Sequence, residues 1–215
     1  MSKSASFFYA LGFLTRLPVP GMASLPSEKE QGESLLFYPL VGLIIGLILV
    51  VIAYLLSDVE PLLTSAILLT IWVGITGGLH IDGLADVTDA WVGGQGDRER
   101  TLSIMKDPTS GPMAVASVVL VLLLKVAALQ SLIATANWTA LLWVPVLGRG
   151  ALIAGFVYLP YIRSGGLGAV LADNLPQSAA KKVLLILGLG SFLLWGWSAV
   201  WIIVGCGFVF FVIKT

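Results

Sequence analysis

Charge is scarce in this 215-residue chain: Asp, Glu, Lys and Arg make up 11% of it, against about 25% in an ordinary soluble domain. So few charges cannot keep a water-exposed surface of this size dispersed. Neither sign is in excess, twelve Lys and Arg facing twelve Asp and Glu, which excludes the basic face that nucleic-acid binding needs. Cysteine is nearly absent as well. Cys206 is the only one and sits in an apolar run, so an internal disulfide and a Cys-x-x-Cys metal site are both excluded. With His80 the single histidine, any bound metal must rest mainly on oxygen ligands. What is abundant is apolar: 58% of residues are hydrophobic, with 24 glycines besides, and the mean hydropathy is +0.98. A soluble enzyme, a DNA binder and a disordered chain are thereby excluded, and the protein belongs in a lipid bilayer.

The opening segment, 4–14, runs into Thr15, Arg16 and the turn-forming Leu17-Pro18-Val19-Pro20. It is too short to cross ~30 Å of hydrocarbon, which takes about 20 residues. It also lacks a small-residue cleavage site, so it reads as a short interfacial or re-entrant helix rather than a removed signal peptide. Long apolar stretches follow at 35–56, 61–79, 112–134, 138–160 and 183–213. The last would be about 46 Å long as one helix, and Gly196-Trp197-Ser198 is where it is expected to divide. The sequence thus predicts an all-α, polytopic integral membrane protein with five to six transmembrane helices and a short amino-terminal helix, one membrane domain over 1–215.

Lys and Arg set the orientation, because positively charged connections stay in the cytoplasm. Lys3, Arg16 and Lys29 precede the first span, Arg98, Arg100 and Lys106 follow the second, and Arg163, Lys181 and Lys182 follow the fourth. The connections 57–60 and 135–137 contain neither Lys nor Arg. The amino terminus, an aspartate-rich segment at 81–111 and an Arg/Gly loop at 161–182 are therefore expected in the cytoplasm.

The acids of that first loop are patterned. On a helix, Asp82, Asp86 and Asp89 are spaced i, i+4, i+7, within about 60° of one another and over roughly 10 Å of axis. Like charges so placed repel, so three carboxylates on one face call for a cation. All-oxygen ligation suits Mg²⁺ or Mn²⁺, which also keep positions open for water and phosphate oxygens. A polar helix end dipping into water would carry the same acids. What favours a site is their position, directly continuing an apolar span with only His80 at the junction. His80 itself can serve as a base, a metal ligand or a hydrogen-bonded structural residue, and Thr88, on another face, as a packing or capping residue.

Further candidates lie downstream. In Lys106-Asp107-Pro108-Thr109-Ser110-Gly111-Pro112, Thr109 or Ser110 is expected to cap the next helix, whose N–H groups, with Lys106, favour a phosphate. Arg163-Ser164-Gly165-Gly166-Leu167-Gly168 offers a guanidinium for bidentate phosphate contact and a backbone free to approach it. Lys125 and Arg149 fall inside spans that hold no carboxylate. Their partners must be backbone carbonyls, water, the aspartate face or an anionic substrate, although Lys125 can also snorkel along its helix.

The run Gly77-Gly78-Leu79-His80-Ile81-Asp82-Gly83-Leu84-Ala85-Asp86, with Asp89 after it, resembles the hallmark of the cobalamin synthase (adenosylcobinamide-GDP ribazoletransferase) family. Phe13-Leu14-Thr15-Arg16-Leu17-Pro18-Val19-Pro20, Phe37-Tyr38-Pro39-Leu40-Val41-Gly42, Ile104-Met105-Lys106-Asp107, Lys125, and Arg163 with Gly166-Leu167-Gly168 extend the resemblance. It implies a multi-pass enzyme of a bacterial or archaeal cytoplasmic (inner) membrane, its active site facing the cytoplasm. The reaction implied joins adenosylcobinamide-GDP to α-ribazole or its 5′-phosphate, with release of GMP and a requirement for Mg²⁺. Asp82, Asp86 and Asp89 would bind metal, with Asp82, Asp86 and His80 catalytic. Lys106, Arg163 and Arg149 are the candidates for phosphate contacts, and Asp107, Gly166 and Gly168 are counted with them as substrate-binding positions. No nucleic acid is expected as partner, and a homo-oligomer is left open. Two departures stand out. Pro108 replaces the family's small hydroxyl residue, and the family pattern runs on past Thr215 into a polar G-x-T-G-D segment.

Two other readings compete. A CDP-alcohol phosphotransferase also sets D-G-x-x-A beside a membrane, but here Asp86 precedes Val87 and the spaced acid pair of that family is missing. A secondary transporter would use Lys125 and Arg149 on its path, yet the paired halves with broken helices are not visible.

Overall fold

A computed structural model describes residues 3–20, 25–107, 109–161, 167–200 and 204. Their regular structure is helical throughout. Helix α1 (Lys3–Leu14) precedes α2 (Glu28–Ser34), a 3₁₀ turn (Leu35–Phe37) and α3 (Tyr38–Leu55). Then come α4 (Pro61–Thr76), α5 (Leu79–Gly94), α6 (Arg98–Ile104) and α7 (Pro112–Ala134). The chain continues through α8 (Trp138–Tyr158), α9 (Leu167–Asp173) and α10 (Gln177–Trp195). Among the described residues, four helical segments are long and apolar enough to cross a membrane: Glu28–Leu55, α7, α8 and α10, with a fifth if α4 and α5 count as one bent span. The expected division of the last apolar stretch is found, since Gly196, at φ 55°, ends α10. Most of the second half of that stretch lies outside the described residues.

Outward-facing apolar side chains are the rule on these helices. Leu123 and Leu124 on α7 and Leu185 and Leu193 on α10 are all more than half exposed, a surface fit for lipid and unfit for water. In lipid, apolar burial no longer drives helices together, so close backbone approach and hydrogen bonds must do so.

One compact unit comprises Met1–Leu47 and Leu142–Thr215. Here α1 buries Ser6, Ala10, Leu11 and Leu14 and packs on α2 and the 3₁₀ turn, with Tyr9 Oη donating to Gln31 Oε1 at 3.2 Å. Ser27 and Glu30 form a capping box that starts α2. Gly42 and Gly46 let α3 lie directly on α8: a Cβ at Gly42 would stand 2.5 Å from the Pro145 carbonyl oxygen, and one at Gly46 would strike that of Leu142. On α8's other contact, Trp143 Nε1 donates to Ser191 Oγ of α10 at 3.1 Å.

The second unit is Ile48–Leu141. Glu60 caps α4 by accepting from Leu63 N at 2.9 Å, and Pro61 opens the helix. Its 16 residues reach only about 24 Å. Gly77 and Gly78 then both adopt left-handed conformations, φ 64° and 72°, which glycine takes without steric cost, and α5 leaves at 87° to α4. The aspartates therefore do not extend the span in a straight line, as the sequence suggested; they lie on a separate helix beyond a sharp bend. Helix α5 packs on α6 and α7, and α4 on α7.

Candidate functional site

Because α5 is continuous from Leu79 to Gly94, the expected i, i+4, i+7 arrangement of Asp82, Asp86 and Asp89 is present along one helix. The three are nevertheless used differently. Asp82 is exposed and Asp86 half-buried, and neither carboxylate has an ion pair or hydrogen bond among the described residues. Asp89 is engaged: its Oδ2 accepts from Gly111 N at 2.5 Å and its Oδ1 from Ala114 N at 2.9 Å. Those are orphan donors at the start of α7, where a negative charge also suits the helix dipole. Gly111 is glycine for a steric reason, since a Cβ there would lie 2.8 Å from Asp89 Oδ1. Among the described residues no three His, Cys, Asp or Glu side chains are gathered as a metal site. The predicted three-carboxylate set is thus divided into two free acids and one that ties α5 to α7.

Two expectations about the 106–112 turn are corrected by the same contacts. Neither Thr109 nor Ser110 caps α7; Asp89 does so from another helix. Thr109 instead donates through N and Oγ1 to Asp107 Oδ1, at 2.9 and 2.6 Å. These bonds, the hydroxyl's first, hold the Asp107 carboxyl below its ordinary pKa. The start of α7, expected to receive a phosphate, already holds a carboxylate. Lys106 is exposed just beyond α6. A groove of about 290 Å³ runs between these elements, lined by Asp89, Gly93, Ile104, Asp107, Thr109 and Pro112 among others.

His80 is exposed in the first turn of α5, and at 100° per residue it lies about 160° around the helix from Asp82, so the structure does not bring it to the acidic face. Arg163 and Gly166 lie outside the described residues. Gly168 is the second residue of α9, where a side chain would strike the ring of Tyr161. Its bareness serves close packing in a helix, not a pliant phosphate loop.

Of the two cations within spans, Lys125 lies over the ring of Trp72 on α4, Nζ 5.1 Å from the centroid. Sequence reasoning missed Trp72, because nothing local in α4 marks it as a partner of α7. Arg149 is 3% exposed in α8, and its Nε and Nη2 have no hydrogen-bond partner among the described residues. The Thr109 contact was within reach of the sequence, since Asp followed two residues later by Thr favours such a turn.

No solved structure matches the chain. A protein of Pseudomonas fluorescens named adenosylcobinamide-GDP ribazoletransferase is 55% identical over 207 residues, 95% of this chain and 84% of that relative. Relatives of the same name from Pseudomonas syringae pv. syringae and Pseudomonas putida are 53% and 52% identical, over 95% and 91% of this chain and 84% and 80% of their own lengths. The model of the cobalamin-5-phosphate synthase family matches residues 6–215, and with that extent of agreement, spanning the aspartate helix and the cations on both sides of it, the chain belongs to that family.

Proposed function

We propose that the chain joins adenosylcobinamide-GDP to α-ribazole or its 5′-phosphate with release of GMP, a late step in making cobalamin. The observation that carries this reading is 55% identity, across 95% of the chain, to a relative bearing the name of that transferase. The CDP-alcohol phosphotransferase and transporter readings give way to it.

In the proposed mechanism a ribazole hydroxyl attacks the corrinoid-linked phosphorus and the GMP phosphate leaves. Charge neutralisation and positioning supply most of the rate. Two carboxylates one helical turn apart, unpaired among the described residues, are a fitting donor set for Mg²⁺, or Mn²⁺, which keeps other positions for water and phosphate. Asp82 and Asp86 are assigned to hold the ion, which when bound would offset the pyrophosphate's negative charge. Asp89 is assigned to hold the 107–111 turn and α7 against α5. Lys106 and Arg163 are the cations proposed to meet the leaving phosphate, and Arg149 a buried phosphate contact. The charge pattern of its flanks supports a cytoplasmic position for the acidic helix, at the inner membrane.

The test is direct. Detergent-purified protein, adenosylcobinamide-GDP, α-ribazole and Mg²⁺ should yield GMP and the joined corrinoid in equal amounts. No GMP, under conditions where a Pseudomonas relative produces it, would reject the proposal.

A further inference from the structure

Two large side chains in the first unit are buried with polar atoms left unsatisfied. Tyr38 is 1% exposed and Arg149 3%, and the Tyr38 hydroxyl and Arg149 Nε and Nη2 make no hydrogen bond among the described residues. The packing of α3 on α8 sets them at one level. Gly46 meets Leu142; one turn earlier in α3, Gly42 meets Pro145 and Val146, which lie one turn later in α8. The helices therefore run antiparallel, and one further turn in the same register brings α3 to Tyr38 and α8 to Arg149.

A guanidinium stays ionised when buried, and buried charge without a counter-ion is strongly disfavoured. None of α3, α8 and α10 contains an acidic residue. The aromatic stack of Phe13 on Tyr38, centroids 6.5 Å apart, fixes the ring and with it the direction of the hydroxyl. What is assembled is a fixed phenol O–H donor level with a forked cationic donor, on two helices that carry no acidic residue themselves.

We infer that Tyr38 and Arg149 form a buried receptor for one singly charged phosphate group. The guanidinium fork pairs with two of its oxygens, and the phenol donates to a third or shares one. A phosphate of the corrinoid substrate and the phosphodiester of a phospholipid have the same chemistry. Arg149 stands near the middle of the 21 residues of α8, deeper than a headgroup normally lies, which favours the substrate. In that form the inference rests on the function proposed above.

The experiment uses the full chain in uncharged detergent, as wild type, Tyr38→Phe, Arg149→Lys and Arg149→Met, with four probes. These are adenosylcobinamide-GDP, phosphate-free adenosylcobinamide, phosphatidylglycerol and diacylglycerol, with binding read by calorimetry and GMP release measured in parallel. For a substrate phosphate, Arg149→Met should weaken adenosylcobinamide-GDP by about ten- to a hundredfold and Tyr38→Phe by less, the scale of hydrogen bonds to charged groups. Arg149→Lys should fall between, and adenosylcobinamide should bind all four proteins alike. For a lipid phosphate, the same order should appear with phosphatidylglycerol and not with diacylglycerol. Tyr38→Phe removes one oxygen atom only, so its result stands even where Arg149→Met fails to fold. Unchanged affinity for both phosphate probes in all variants, or equal loss of phosphate-bearing and phosphate-free probes, overturns the receptor. If wild type releases no GMP yet phosphatidylglycerol binds in the stated order, the function fails and the receptor stands. If GMP is released normally and no probe discriminates the variants, the receptor fails and the function stands.

Discussion

The carboxylate of Asp89 receives the backbone N–H of Gly111, so that the third acid of α5 closes the first turn of α7 instead of facing solvent with Asp82 and Asp86. A second bond, from Ala114 N to the other oxygen, makes the contact two-pronged, and the bare Cα of Gly111 is what admits it. The acidic motif thereby serves two purposes on one helix.

The first prediction separates those purposes. Asp89→Asn keeps one carbonyl acceptor but turns an NH₂ group toward the other N–H, and should cost about 1–3 kcal/mol of stability. Amide exchange at Gly111 and at Met113, Ala114 and Val115 should accelerate, while Mg²⁺ affinity stays at the wild-type value. A fall in metal affinity with unaltered exchange would instead make Asp89 a ligand.

Asp82→Asn and Asp86→Asn should behave in the opposite way. Removing one of two like charges a turn apart relieves repulsion, so stability should hold or rise slightly. GMP release should drop by about a hundredfold or more, with partial recovery in at least one variant at high Mg²⁺ or Mn²⁺. Near-normal transfer in both variants would leave these acids as a solvated helix face.

Asp107 gives a pH dependence of known sign. Its carboxyl is held below the ordinary value of 3.8 by the Thr109 hydroxyl and amide, so the charged form is favoured in the folded protein. The resulting stability is present above 3.8 and lost as pH falls through the lower folded value. Thr109→Val should therefore lower stability by a constant amount between about pH 5 and 8, and the difference should vanish on further acidification. A difference that grew in acid would contradict the assignment.

Lys125 and Trp72 link α7 to α4 by a cation–ring contact of 5.1 Å. Trp72→Leu should destabilise the detergent-solubilised protein by about 1–2 kcal/mol, and Trp72→Phe, which keeps a ring, by less. Equal losses in denaturant titrations of both variants would show that ring size, not the cation, matters there.

Orientation can be tested within the second unit. With Cys206 replaced by serine, a cysteine in place of Asp58 should react with an impermeant thiol reagent on intact cells, and one in place of Arg98 only after permeabilisation. The reverse pattern would invert the proposed topology.

The bilayer setting, the helices and the register of Asp82, Asp86 and Asp89 were legible in the chain, because hydropathy, helical period and the clustering of Lys and Arg are properties of neighbouring residues. The break at Gly196 was legible too, from length alone. The 87° turn at Gly77-Gly78 was not, since a glycine pair is compatible with a helix interior and only packing decides that both take positive φ. Nor could the sequence assign Asp89 to Gly111, Lys125 to Trp72, or Tyr38 to the level of Arg149. Each pair joins different helices, and the register between helices depends on which side chains, or missing side chains, let two backbones approach. Local periodicity therefore determined which residues share a face, and tertiary contact decided what that face meets.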